Sequence, residues 1–217
     1  MRKSFILMKR HFLCAVLSAV LFSVLPMEGQ IRGFRQEQLK EWEFSKDGSS
    51  WLTVEVPHSY NDEDGHSPYY YRGKATYRCD LRITDVKKSH YLFFEGAAQA
   101  AVIKVNGEQV ASHKGGYTPF SVDITEAVEK GVNRVEVICD NSEDLEMAPV
   151  TSDFNKNGGL HNPVWLLVMD DVYFSPEDYG MYRLRCETPV VTKKKVVTNV
   201  KTKIINSSNR DANILVR

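Results

Sequence analysis

The chain is 217 residues long, 42% hydrophobic and 26% charged, the composition of a folded globular protein and not of a disordered one. Lysine plus arginine and aspartate plus glutamate number 28 each, so the formal net charge is zero. That balance excludes the basic face with which a nucleic-acid-binding domain releases phosphate counterions, and the length allows one domain or at most two.

Residues 1–11 carry Arg2, Lys3, Lys9 and Arg10, residues 12–25 (FLCAVLSAVLFSVL) carry no charge, and Pro26 to Gln30 end the apolar run with a small residue at Gly29. A basic start, a short apolar stretch and a small-residue exit predict a secretory signal over residues 1–29, too short for a comfortable membrane span. The mature chain is then expected to begin near Gln30 or Ile31 and to work outside the cytoplasm, in the periplasm or beyond the cell. Three cysteines would remain, Cys79, Cys139 and Cys186, an odd number that leaves at least one unpaired. Cys79 keeps step with Ala75, Tyr77 and Leu81, and Cys139 with Val135 and Val137, so both read as small hydrophobes on inward faces. Whether these two pair stays open. With no CxxC, they offer no zinc site.

Beyond the leader, residues 51–56, 74–81 and 132–139 alternate with period two, as half-buried antiparallel strands do. Residues 91–95 (YLFFE) and 164–169 (VWLLVM) are continuous apolar runs, consistent with strands buried on both faces. Asn106-Gly107 between two strand patterns predicts a type I′ hairpin. Residues 124–130 read as a turn of helix with Thr125 as N-cap and Gly131 as stop. Many short strands punctuated by turns predict an all-β jelly-roll sandwich. After residues 175–180 a second unit is expected, with strands over 182–186, 196–205 and 213–216. Three strands leave an apolar face uncovered, so this unit reads as cut off in mid-domain.

No G-x-S-x-G elbow, P-loop, H-E-x-x-H or G-x-G-x-x-G is present, and the six histidines show no ligand spacing. No metal and no cofactor are expected. Three loops stand out for density of amides, carboxylates, hydroxyls and aromatic rings: residues 56–71, 113–120 and 151–161. Such groups exchange hydrogen bonds with sugar hydroxyls and offer flat apolar faces to sugar rings. The same residues also form turns and packed strand ends, so the loops alone leave both readings open.

The ordered motifs Trp42-x-Phe44, Trp51, Val56-Pro57-His58-Ser59-Tyr60-Asn61, Val105-Asn106-Gly107, His113-Lys114-Gly115-Gly116-Tyr117-Thr118-Pro119-Phe120 and Asp153-Phe154-x-x-x-Gly158-Gly159-Leu160-His161 resemble the N-terminal sugar-binding domain of glycoside hydrolase family 2, the β-galactosidase and β-glucuronidase family. The resemblance covers about residues 40–175, and the stretch from Met181 resembles the start of the family's immunoglobulin-like domain. It implies a galactose-binding-like jelly-roll domain over 30–178 and a partial, truncated immunoglobulin-like domain over 179–217. It also implies retaining hydrolysis by two glutamates of a (β/α)₈ barrel, which takes about 250 residues by itself and is absent from this sequence. This chain is therefore expected to be catalytically silent alone, with no catalytic residue of its own, the barrel being its partner in cis and a carbohydrate β-glycoside its ligand. Asp153 is carried over as the sugar contact, with Ser59 or Asn61 from the second contact segment and Asn155 beside Asp153 as further substrate-binding candidates. Asn162-Pro163 stands where many relatives carry an arginine and another residue, so the substrate class is not carried over. The alternatives are a free-standing carbohydrate-binding module and a structural sandwich without a sugar site.

Overall fold

A computed structural model describes residues 34–61, 71–147, 157–177 and 184–213. The predicted leader, Asp153 and Asn155 lie outside the described residues. Two antiparallel sheets face each other. One has six strands in the order β3 (Leu52–Glu55), β2 (Glu41–Ser45), β4 (Lys74–Ile83), β9 (Gly131–Asp140), β6 (Ala100–Val105), β7 (Glu108–Lys114). The other has four: β1 (Phe34–Gln38), β10 (Val164–Met169), β5 (His90–Phe94), β8 (Phe120–Asp123). The predicted all-β, galactose-binding-like jelly-roll class is the observed one.

Period two in β4 and β9 puts Ala75, Tyr77, Leu81 and Ile83, and Val135, Val137 and Cys139, on the inner face, where they meet Leu92, Phe94, Val122, Val164 and Leu166 of the other sheet. The apolar runs of β5 and β10 have the second face that the sequence required. Tyr91, Phe93, Leu167 and Met169 turn away from the sandwich and pack with Tyr173, Phe34 and Ile205. The outer face of the six-stranded sheet is polar: Glu43 on β2 bonds Arg78 at 2.8 Å and Arg134 at 3.2 Å, and the Arg78 guanidinium lies 3.6 Å from the centre of the Trp51 ring.

Asn106 (φ 52°) and Gly107 (φ 87°) join β6 to β7 as the predicted turn. Asn106 also accepts the Arg134 amide and donates to Asn133. Three expectations need correction. Thr125 is not an N-cap: residues Thr125–Ala127 form a single 3-10 turn, and the Thr125 hydroxyl takes the His90 amide instead. The strand expected over 196–205 is two, β13 (Val196–Lys201) paired with β12 (Arg185–Val191), and β14 (Ile204–Asn206) paired with β11 (Val172–Phe174). The strand expected over 182–186 runs on to Val191 as β12, Arg185–Val191, with residues 182–183 outside the described residues. Residues 204–206 pair with residues 172–174, which precede the expected boundary at 178/179 in sequence.

Cys79, Cys139 and Cys186 are all free thiols. Cys79 lies opposite Val135 and Cys139 opposite Ala75. That offset of four residues separates them by roughly 13 Å along the ladder, far beyond disulfide reach. Burial pushes the Cys79 thiol up to about 12 and that of Cys139 higher still.

Candidate functional site

At one end of the sandwich the described parts of the three polar loops are tied together. Residues 56–61 leave β3 and run beside residues 157–161. The His58 amide donates to the Leu160 carbonyl at 2.8 Å and the Tyr60 amide to the Gly158 carbonyl at 3.1 Å. Under this ribbon His58 Nδ1 and the Tyr77 hydroxyl are 2.8 Å apart, and the Tyr60 hydroxyl donates to the Gly73 carbonyl at 3.0 Å. Phe44 packs against His58, Tyr60 and Tyr77 with ring centres 4.8, 6.0 and 4.9 Å away. Burial raises both tyrosine hydroxyls far above their ordinary range, so they stay protonated and able to donate.

Asn61 is at the centre of an amide knot. It is 3% exposed; its Nδ2 donates to the Tyr71 carbonyl at 2.8 Å, and its Oδ1 accepts the Gly158 amide at 2.8 Å and Asn141 Nδ2 at 3.1 Å. Asn141 in turn accepts the Gly73 amide at 2.9 Å. Both lone pairs of the Asn61 oxygen are thereby used inside the protein, which suits a residue that holds the loop and not one that meets a sugar. Ser59 differs. It is half-buried, accepts the Asn61 amide at 3.3 Å, and lines a surface groove.

The two glycine pairs explain how closely the loops approach. A β-carbon on Gly158 would stand 2.1 Å from the Tyr60 ring, and Gly159, at φ 115°, exchanges two hydrogen bonds with Ala98 at 2.9 and 3.1 Å. Gly115, at φ 124°, donates to the Gln99 carbonyl at 3.0 Å, and Gly116 lies against Ala98 and Gln99. The segment joining β5 to β6 is thus the post to which the other two loops are fixed. Tyr117 is 60% exposed, with its ring edge-on to His161 at 5.4 Å, while His113 stacks on Phe120 at 3.9 Å. Burial holds His113 and His161 below their ordinary pKa, which leaves them neutral around pH 7. Asn162, where the sequence departs from many relatives, lies over Gly96 and donates to the Glu95 carbonyl at 3.4 Å.

Of the residues predicted to contact sugar, the structure places Ser59 on a surface and Asn61 inside; Asp153 and Asn155 fall outside the described residues, beside the anchored 157–161 ribbon in sequence. Sequence reasoning missed Asn141, Tyr77 and the Ala98–Gln99 post. Only the period-two position of Tyr77 announced that it would be buried, and nothing announced its bond to His58. Among the described residues no group of three histidine, cysteine or acidic side chains could hold a metal ion, and no helix is long and apolar enough to cross a membrane.

Residues 57–162 match the model of the glycosyl hydrolase 2 galactose-binding-like domain. The chain carries the family 2 domain. It is 34% identical over 164 residues to a β-glucuronidase of Bacteroides fragilis, covering 73% of this chain and 23% of that protein. It is 34% identical over 142 residues to a β-galactosidase of Thermoanaerobacter pseudethanolicus, covering 61% and 19%. The crystal structure of a Bacteroides uniformis β-glucuronidase superimposes with a TM-score of 0.73 at 28% identity, covering 80% of this chain and 22% of that one. The chain spans about a fifth of the length of the curated relatives it matches. It corresponds to a non-catalytic N-terminal portion of such family 2 enzymes.

Proposed function

We propose that this chain is the sugar-contacting portion of an exported family 2 β-glycosidase of the β-glucuronidase or β-galactosidase kind. The two catalytic glutamates would come from a barrel domain in cis. The observation that carries the reading is the rigid junction of the 56–61 and 157–161 segments, in which backbone bonds, the Asn61 knot and two glycines fix the root of the segment bearing Asp153. Asp153 accepts hydrogen bonds from sugar hydroxyls at the barrel's active site, Asn155 and Ser59 add contacts, and Asn61 holds the loop. The basic and apolar leader supports export to the periplasm or beyond.

Few polar contacts without a barrel wall amount to about 4 kcal/mol of binding, a dissociation constant near the millimolar range. Calorimetric titration of the chain with galactose, glucuronate and their oligosaccharides tests this. Millimolar binding without hydrolysis of nitrophenyl glycosides is expected. Micromolar binding to an oligosaccharide would favour a free-standing carbohydrate-binding module, and hydrolysis by the chain alone would overturn the reading.

A further inference from the structure

Beside the loop junction runs a groove of about 580 Å³, within the size range of small-ligand clefts. Its walls are the end of β2 and the turn after it, the near side of β3, and residues 58–60. Three features give it a chemical character. Leu52, 65% exposed, and half-buried Val54 form an apolar side, continued inward by Phe44 and Tyr60. Hydroxyls of Ser50 and Ser59 line it; Ser50 Oγ has no partner among the described residues, and Ser59 Oγ, which accepts the Asn61 amide, keeps its own hydrogen to donate.

The third feature is charge. Lys46 and Asp47 both line the groove, but they are not equivalent. Asp47 Oδ1 accepts the Ser49 amide at 2.8 Å, the Ser50 amide at 3.0 Å and the Ser45 hydroxyl at 3.1 Å, so the carboxylate closes its own turn. Among the described residues Lys46 has no carboxylate partner; its ammonium stands 5.2 Å from the centre of the Tyr71 ring, a cation–π contact that steadies it.

We propose that this groove is a second saccharide subsite, selective for a sugar unit bearing a carboxylate, with Lys46 pairing the carboxylate, Ser50 binding a hydroxyl, and Leu52 and Val54 taking the ring's apolar face. This rests on the sugar-contacting reading above and assigns the neighbouring unit of the substrate to a place on this domain. An ammonium–carboxylate bond on an open surface is worth about 1 kcal/mol, which sets the expected selectivity at roughly five-fold.

The test is an NMR titration of the full isotopically labelled chain with sodium methyl β-D-glucuronide and, separately, methyl β-D-glucoside. Amide shifts at Lys46, Ser50 and Ser59 are expected to saturate at millimolar glucuronide, with the glucoside roughly five-fold weaker. Lys46→Gln, an exposed change that leaves the melting temperature in place, is expected to abolish that difference and spare glucoside binding. Equal affinity for both glycosides, an unaffected preference in Lys46→Gln, or no shifts at the three residues would each overturn the subsite. The effect of Asp153→Ala on hydrolysis in the barrel-bearing enzyme is independent of these readouts, so failure of the groove and failure of the sugar-contact reading are told apart.

Discussion

Asn61 and Ser59 stand two residues apart in one loop and have opposite duties. Asn61→Ala removes the acceptor of the Gly158 amide and of Asn141 Nδ2, both inside the protein, and is expected to cost about 3 kcal/mol of stability. Ser59→Ala keeps the half-buried backbone and is expected to stay within about 0.5 kcal/mol of the parent while weakening sugar binding. Urea unfolding of both variants, beside a sugar titration, separates the roles; equal destabilisation would contradict the division. Gly158 is a sharper case. The missing β-carbon leaves room for the Tyr60 ring, so Gly158→Ala overpacks the junction and is expected to lose about 2 kcal/mol, read as a lowered melting temperature.

At the scale of elements, the turn at Asn106-Gly107 carries a strain test free of packing, since nothing lies within 4 Å of a β-carbon placed on Gly107. Gly107→Ala is expected to destabilise by about 1 kcal/mol purely through its φ of 87°, and denaturant midpoints report it. How far the elements were legible follows from local rules. The Asn-Gly turn, the alternation in β4 and β9 and the apolar runs of β5 and β10 declare themselves because each pattern depends on a residue's own strand and its two faces. β1, β2 and β8 do not: each is only four or five residues long, and partners distant in sequence decide its pairing. Thr125 was misread because its hydroxyl serves His90, 35 residues away, as well as any local cap could have used it. The 196–205 run looked continuous because period two survives across residues 202–203, where the chain changes partner from β12 to β11. The site was legible as ordered motifs, yet Asn61 read as a ligand contact because an amide in a loop looks alike whether it meets a sugar or another amide; Asn141, 80 residues on, settles the matter.

For the whole molecule, burial sets the pH dependence. His90, His113 and His161 are each held below their ordinary 6.5 by desolvation. The unfolded chain therefore binds protons more readily than the folded one as pH falls, so the stability tied to the neutral imidazoles is complete above about pH 6.5 and is lost progressively below it. Glu43, Asp47 and Asp144 are lowered from 4.5, 3.8 and 3.8 and act only in a more acidic window. Urea midpoints are expected to be lower at pH 5.5 than at 7.5, with the step between them reduced when His90, 2% exposed, is replaced by Gln. A flat profile across that interval would contradict the assignment.

The proposed function turns on Asp153 meeting the sugar of a family 2 glycosidase. The most direct measurement is kcat/KM for nitrophenyl β-D-glucuronide and β-D-galactoside, with the chain joined to a family 2 catalytic barrel, for the parent and for Asp153→Ala. The account predicts a loss of roughly 100-fold, about 3 kcal/mol of transition-state binding, with the melting temperature unchanged. Activity equal to the parent on the preferred substrate would contradict it.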